Sequence, residues 1–522
     1  MYLKRSESML RVGASLAFLL PSLAVSAIAG EGNADRGWPS YNNDLLGQRF
    51  SPLNQIDKKN VANLQKVCTA KIQEGGSFQT SPIVVSGVMY VTTARDTIAL
   101  DPVTCAERWR HTFVSVDEDV FPNNRGVAYS NGRLFRGTAT GSFYALDAAT
   151  GRILWSNQIG NPEIGEFVSA APVASSGLVY IAIAGGDWGI RGRVLAFDQE
   201  TGREVWRFNT IPTGEEFGAD TWKNEKSALT GGGGVWSTMS LDVSTGELLV
   251  PVGNPAPDLN AEYRPGDNLF TNAIVSLDAR TGKLLWYHQH KKNDSLDHDI
   301  SSAPTIFRDP DVRDIIAYAG KDGQLTALDR QTKAKIYSTP VTTVDNITAV
   351  TSDAGIHVCP GFGGGVEWNG LAYDRKLNTL FAGAVDWCSF FKKGPAKYIQ
   401  GEFFFGGEFT MDKEAAGWVT AVNASTGAVK WKYRTEKPVV SGISPTAGGI
   451  VFAGDTSGKF FAFDSESGKP LFTYATPGMI AGGIVTYSVK GKQYVAFTSG
   501  NVSRMTFGEL GDPSIIVMSL PN

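Results

Sequence analysis

Short apolar runs recur along the chain, each closed by an acidic or amide residue and answered eight positions later by an aromatic one. The pairs are Asp101 with Trp109, Asp147 with Trp155, Asp198 with Trp206, Asp278 with Trp286, Asp329 with Tyr337, Asn423 with Trp431, and Asp464 with Phe472. The complete pattern stands at Ala145, Leu146, Asp147, Thr150, Gly151 and Trp155, and a near copy has Leu277, Asp278, Thr281, Gly282 and Trp286. The apolar runs, such as 194–197 and 274–277, are short and predict strands. Asp followed by Thr-Gly predicts a tight turn, because the carboxylate accepts backbone N–H bonds and Gly takes the positive-φ position. A unit that returns about every 40–50 residues with four short strands is the signature of a β-propeller. The indole at a fixed point of most units predicts a structural role, packed between neighbouring blades.

The expected fold class is therefore all-β, an eight-bladed propeller with tryptophan-docking repeats. Residues about 30–70 lack the repeat, and residues 482–500 read as two strands around Lys490-Gly491-Lys492. The simplest closure builds the last blade from both chain ends. Two wide intervals, Asp198 to Asp278 and Asp329 to Asn423, hold one extra turn each or long loops. Asp242 to Gly246 resembles such a turn, without the following aromatic.

A chain of 522 residues is too long for one ordinary core, but radial repetition escapes that limit. The net charge of −4 and the absence of a basic tract argue against a nucleic-acid partner. At the N-terminus, Lys4, Arg5 and Arg11 precede an apolar run over 12–27, broken by Pro21 and followed by cleavage positions after Ala27 or Ala29. This predicts a signal peptide over 1–29, a single propeller domain over 30–522 and a periplasmic location, with no membrane anchor. Four cysteines suit an oxidising compartment. Cys359 and Cys388 could bridge neighbouring strands and Cys68 and Cys105 are the remaining pair, with free buried thiols as the alternative. There is no C-x-x-C-H motif for covalent haem, and the five histidines do not group as metal ligands.

The chemistry lies between the repeats. Residues 184–192, 231–236, 252–257 and 293–299 combine glycines with polar residues that the repeat does not need. Gly185 and Gly186 let backbone approach a ligand closely. Asp187, Asn254, Asp297 and Asp299 offer the oxygen donors that suit a hard cation such as Ca²⁺. Trp236, after four glycines, is a candidate stacking platform.

At these residues the chain resembles the pyrroloquinoline quinone (PQQ)-dependent alcohol dehydrogenases, the quinoproteins that include methanol and ethanol dehydrogenases. The resemblance runs over nearly the whole mature chain. It is most specific in Gly253-Asn254-Pro255-Ala256-Pro257, in Arg264-Pro265-Gly266-Asp267-Asn268, and in the spacing from Trp286 to Asp297. It implies PQQ and a Ca²⁺ or lanthanide ion as cofactors, and oxidation of an alcohol to an aldehyde or ketone. Asp297 falls at the catalytic carboxylate, the general base. Asp187, Asn254 and Asp297 fall at the metal ligands, and Asp299 at the extra acid associated with lanthanide-using members. Trp236 matches the tryptophan beneath the quinone. Gln79, Arg125, Ser169 and Lys321 match polar contacts of the cofactor, and Cys359 with Cys388 a structural disulfide. With no haem in the chain, electrons leave to an external acceptor, for which a soluble cytochrome c is the implied partner.

Several residues depart from the family pattern. The adjacent cysteines that usually cover the quinone face are missing at Asp119-Val120. Asp187 is one methylene shorter than the usual Glu, so the metal distance would have to be made up by backbone. Val440 replaces a tryptophan above the pocket, and Glu367 stands where Asn is common. Loss of bulky walls implies room for a bulky, secondary or polymeric alcohol. Two other functions share the repeat: a non-catalytic scaffold for outer-membrane protein assembly, and a sugar or aldehyde quinoprotein.

Overall fold

The computed structural model describes residues 35–72, 76–503, 507–508 and 510–521; the expected signal peptide at 1–29 lies outside them. Among the described residues the strands form eight four-stranded antiparallel sheets and one three-stranded sheet, with one α-helix of a single turn at Glu225–Ala228. The all-β expectation holds, and each four-stranded sheet has the form of a propeller blade. Six sheets use four consecutive strands. The closing sheet is built from both ends, as expected: Gln65–Lys71 pairs with Ser514–Ser519, and Ile484–Val489 and Lys492–Ser499 complete it.

The repeat explains itself physically. Asp147 Oδ1 accepts from the backbone N–H of Ala149 and Thr150 and from the Thr150 hydroxyl, at 2.8–3.1 Å. Gly151 follows at φ 72°. That glycine is where the preceding blade docks: a Cβ placed on it would lie 2.5 Å from Cε3 of Trp109. The Trp109 Nε1–H donates to the Ala148 carbonyl of the same turn at 3.2 Å. Trp155 repeats this on Gly202 and Gln199, Trp206 on Gly282 and Ala279, and Trp431 on Gly468 and Ser465. Each indole thus buries its face on one glycine and satisfies its only donor. Trp286 is the exception, because its partner turn carries Lys333; there the ammonium sits 4.3 Å from the ring and the indole N–H turns to Glu247.

The wide intervals hold loops, not extra repeats. The turn at Asp242 to Gly246 joins the first two strands of its sheet, Ser240–Asp242 and Glu247–Val252, whereas repeat turns join the third and fourth. Eight residues on lies Val250, in the buried second strand and not in a fourth strand that could dock on the next sheet, which is why no aromatic follows. In the second interval, Ile356–Val358, Ser389–Lys393 and Gly407–Met411 form the three-stranded sheet. All four cysteines are paired: Cys359 with Cys388 beside that added sheet, and Cys68 with Cys105 between the closing sheet and the first repeat turn.

Backbone bonds link the segments that enter the innermost strands. Gly442 N–H donates to Gly482 O, Gly483 to Thr80, Ser81 to Arg125, and Arg125 to Ser169, at 2.9–3.0 Å. Loops from different sheets are thereby fixed to one another around a common centre.

The indole contact predicts unequal costs for two glycine changes. Gly151→Ala should lose about 3 kcal/mol, from positive φ and the clash with Trp109. Gly246→Ala has the same φ of 72° but open space around it, and should lose about 1 kcal/mol. Urea unfolding midpoints compare them, and equal losses would show that the indole contributes nothing.

Candidate active site

Ten of the predicted residues line one cavity: Gln79, Arg125, Ser169, Gly185, Gly186, Asp187, Trp236, Asn254, Asp299 and Lys321. They come from widely separated parts of the chain. Asp187 sits in the 3₁₀ turn Gly186–Trp188, Asn254 follows the strand Glu247–Val252, and Lys321 follows Asp314–Ala319. Asp297 lies just behind the lining, fully buried, in the loop before Thr305–Arg308.

That loop is built around Asp294. Its carboxylate accepts from the N–H of Leu296 and His298 and pairs with Lys291 at 2.6 Å. The winding forces Asp297 into the left-handed region at φ 57°. A non-glycine residue there costs about 1–3 kcal/mol, and such strain concentrates at working sites. Lys321 Nζ lies 2.9 Å from Oδ2 of both Asp297 and Asp299. Asp299 Oδ1 accepts from the Asn254 N–H at 2.8 Å, so its two oxygens are both engaged. Asp297 Oδ1 is buried and accepts nothing.

A cation-ready cluster results, but its membership differs from the sequence expectation. Asp187, Asp258 and Asp297 each present an oxygen within 4.8 Å of the others. Asp258 was missed, although it is the residue immediately after the recognised stretch 253–257. No motif marked it; only the fold carries its carboxylate next to that of the shortened Asp187. The other grouping of potential ligands, His357 with Cys359 and Cys388, is consumed by the disulfide.

The electrostatics follow from burial. Desolvation pushes Asp187 up to about 6, against Lys321, with repulsion from Asp299 adding to the rise. Asp258 and Asp297 are raised well above the carboxylate range by burial and by their neighbouring acids, with Lys321 opposing the rise at Asp297. Burial works against the Lys321 cation, yet Asp297 and Asp299 outweigh it and hold its pKa high. Glu367 is pushed up to about 7 by burial.

Aromatic side chains line the same cavity as Asp187. The Arg125 guanidinium stands 4.8 Å from the Trp236 ring and 5.0 Å from that of Trp368, and Lys321 Nζ is 5.7 Å from Trp236. Arg125 Nη1 donates to the Trp236 carbonyl, as does the Ser169 hydroxyl, while Arg125 Nε is buried without an acceptor. Where the family's paired cysteines are missing, Phe121 lines the cavity and packs against Phe167 and Trp188. Phe403 and Phe405 reach in from the loop between Ser389–Lys393 and Gly407–Met411, held by a Phe404 N–H bond to the Asp187 carbonyl. Val440 is buried in a cluster with Trp368, and Trp387 and Phe507 pack on the same cluster. A flat anion and a hard cation both fit what is present, because the Trp236 face, the orphaned Arg125 donor and the orphaned Asp297 and Asp258 oxygens complement such a pair.

A buried carboxylate cluster beneath an indole, reached through loops of a propeller, defines a cofactor-binding propeller. The family model described as "Glucose/ethanol/alcohol dehydrogenase, beta-propeller domain", with PQQ as its name, matches residues 38–350. A second, described as outer membrane protein assembly factor BamB, matches 415–504. The quinoprotein alcohol dehydrogenase PedH of Pseudomonas putida is 28% identical over 514 residues, 87% of this chain and 84% of PedH. The quinohemoprotein alcohol dehydrogenase ADH IIB of Pseudomonas putida is 29% identical, over 97% of this chain and 80% of its own length. A solved europium-containing methanol dehydrogenase superposes with a TM-score of 0.85 at 26% identity, covering 93% of this chain and 98% of its own. The chain belongs to the PQQ propeller dehydrogenase family and is a quinoprotein alcohol dehydrogenase, an oxidoreductase. The scaffold expectation thus gives way; the assembly-factor model shares only the C-terminal repeats.

Glu367 sets a pH dependence of the metal-free protein. Its folded pKa is raised from 4.5 to about 7, so its contribution to stability is full below 4.5 and is lost as pH rises through about 7. Glu367→Gln should flatten that fall, read as urea midpoints of chelator-treated protein between about pH 5 and pH 7.5. An unchanged slope would show that Glu367 is not buried as an acid.

Proposed function

We propose that the chain oxidises an alcohol to an aldehyde or ketone in the periplasm and hands its electrons to an external acceptor such as a soluble cytochrome c. In this reading residues 1–29 are removed as a signal peptide, and the eight four-stranded sheets are the eight blades of one ring over 30–522. The observation that carries it is the trio Asp187, Asp258 and Asp297, whose oxygens lie within 4.8 Å of one another at the cavity lined by Trp236, with Asp258 and Asp297 oxygens that no protein donor satisfies. No helix among the described residues is long and apolar enough to cross a membrane.

Asp187, Asn254, Asp297 and Asp299 would hold the cation, and the Trp236 ring would offer the quinone a stacking face. Gln79, Arg125, Ser169, Gly185, Gly186 and Lys321 would line its polar edge. When bound, PQQ supplies the two-electron acceptor and the ion the Lewis acid that polarises it. Asp297 does the proton work: Lys321 grips Oδ2, and Oδ1, free of hydrogen bonds, takes the proton of the substrate hydroxyl. Burial raises the Asp297 carboxyl well above the usual carboxylate range, and Lys321 opposes that rise and favours the ionised base. Phe121, Phe403 and Phe405 exclude water and favour an alcohol with an apolar substituent over a polymer. The quinohaemoprotein relative and the absence of a C-x-x-C-H motif here both support a separate haem protein as acceptor.

Reconstitution with PQQ plus Ca²⁺ or La³⁺, followed by dye-linked oxidation of primary, secondary and polymeric alcohols, tests the reading. Asp297→Asn should reduce kcat by about 10³-fold; a loss below about 10-fold would remove Asp297 from the role of base. Asp299→Ala should remove La³⁺-supported turnover more severely than Ca²⁺-supported turnover, since a trivalent ion gains more from each added anionic oxygen. Equal effects would separate Asp299 from the choice of ion.

A further inference from the structure

Asp258 has no role in the fold that its surroundings explain. It is 1% exposed, and both of its carboxylate oxygens are buried without a hydrogen-bond partner. The nearest guanidinium, Arg264, does not serve it. Arg264 donates to the carbonyls of Pro257 and Asp294, to Asn268 Oδ1 and to Asn293 Oδ1, and touches Asp258 only at the backbone oxygen. A buried carboxylate in this position is costly unless something positive meets it. The adjacent loop fixes it there: the Leu259 N–H donates to the Phe405 carbonyl and the Leu259 carbonyl accepts from Thr351 Oγ1.

We propose that Asp258 is a direct ligand of the site's cation, alongside Asp187 and Asp297, and that it tunes the site toward a trivalent ion. This rests on the metal-dependent reading above. Two oxygens of one coordination sphere are separated by at most twice the metal–oxygen distance, about 4.6–5.2 Å for hard ions of this size. The oxygens of Asp187, Asp258 and Asp297 all lie within 4.8 Å of one another, and can share a single ion. Charge gives the preference. Asp187, Asp258, Asp297 and Asp299 gather around Lys321, with Arg264 beside Asp258 and Asp294, while Arg125 opposes Glu367 nearby. The acids outnumber the cations, and the ion balances the excess.

The test is binding of Tb³⁺ alone, followed by luminescence sensitised through the tryptophans, with chelator-treated protein in the absence and in the presence of PQQ. PQQ uptake is read separately by its own absorbance, so failure to bind quinone is distinguishable from failure of Asp258. Asp258→Asn should weaken Tb³⁺ by more than about 100-fold, beyond the cost of an outer-sphere partner. It should weaken Ca²⁺ less. Luminescence lifetimes in H₂O and D₂O should show one or two more waters on the ion in Asp258→Asn than in the wild type, and Asp258→Glu should restore the wild-type count. Affinity within about 3-fold of wild type, a weaker ion with an unchanged water count, or no Tb³⁺ uptake by the wild type in either condition would each overturn the proposal. A crystal structure of the wild type with Tb³⁺ keeps the question open to refutation should both variants misfold: an Asp258 oxygen within about 2.6 Å of the ion supports it, and one beyond about 4 Å sinks it.

Discussion

The contact between an indole and a glycine one blade away is what the remainder of the molecule depends on. It does two jobs with one side chain: the ring covers backbone that has no side chain of its own, and the indole N–H meets a carbonyl in the same turn. Because each contact crosses from one sheet to the next, the repeats fix the relative placement of sheets as well as their internal strands. The loops that enter the innermost strands then meet in register, tied by backbone bonds such as Arg125 N–H to Ser169 O. Stability and function are divided spatially. The repeat turns with their Trp residues form the frame, and the irregular loops carry the chemistry.

Within that frame the site concentrates negative charge that a folded protein would otherwise avoid. Burying carboxylates together costs far more than any single hydrogen bond returns. Lys321 offsets part of it, bonding Asp297 and Asp299 at once, and the remainder is matched by whatever cation enters. The strained backbone at Asp297 belongs to the same economy, since the Asp294 hub holds a conformation that the residue would not choose alone. Metal binding and local stability in this region are therefore linked.

The substitutions relative to the family pattern are compensated from elsewhere in the chain. Phe121 and its aromatic neighbours occupy the region where paired cysteines are usual. Val440 packs in one cluster with Trp368, Trp387 and Phe507. Asp258 brings a carboxylate oxygen within 4.8 Å of those of the shorter Asp187 and of Asp297. Each replacement comes from a segment distant in sequence from the residue it compensates, or from a position with no motif of its own.

The sequence by itself determined the architecture, because its signals are local. An Asp-x-x-Thr-Gly turn and an aromatic eight residues on are set by hydrogen bonds within a few residues, and they repeat. Closure from both chain ends was expected from the apolar runs around Lys490-Gly491-Lys492 and from the segment without the repeat at the start, but the strand that closes the sheet, Gln65–Lys71, pairs with Ser514–Ser519 and not with those runs. Ten of the cavity-lining residues were legible too, through a resemblance carried by short stretches such as 253–257. What only the tertiary structure decided is which side chains meet: Asp258 beside Asp187, Phe403 and Phe405 over the pocket, and the Asp242 turn between the first two strands of its sheet. Those outcomes depend on loops of irregular conformation, whose course is fixed by long-range hydrogen bonds such as Leu259 to Phe405, and no periodicity along the chain encodes such a meeting.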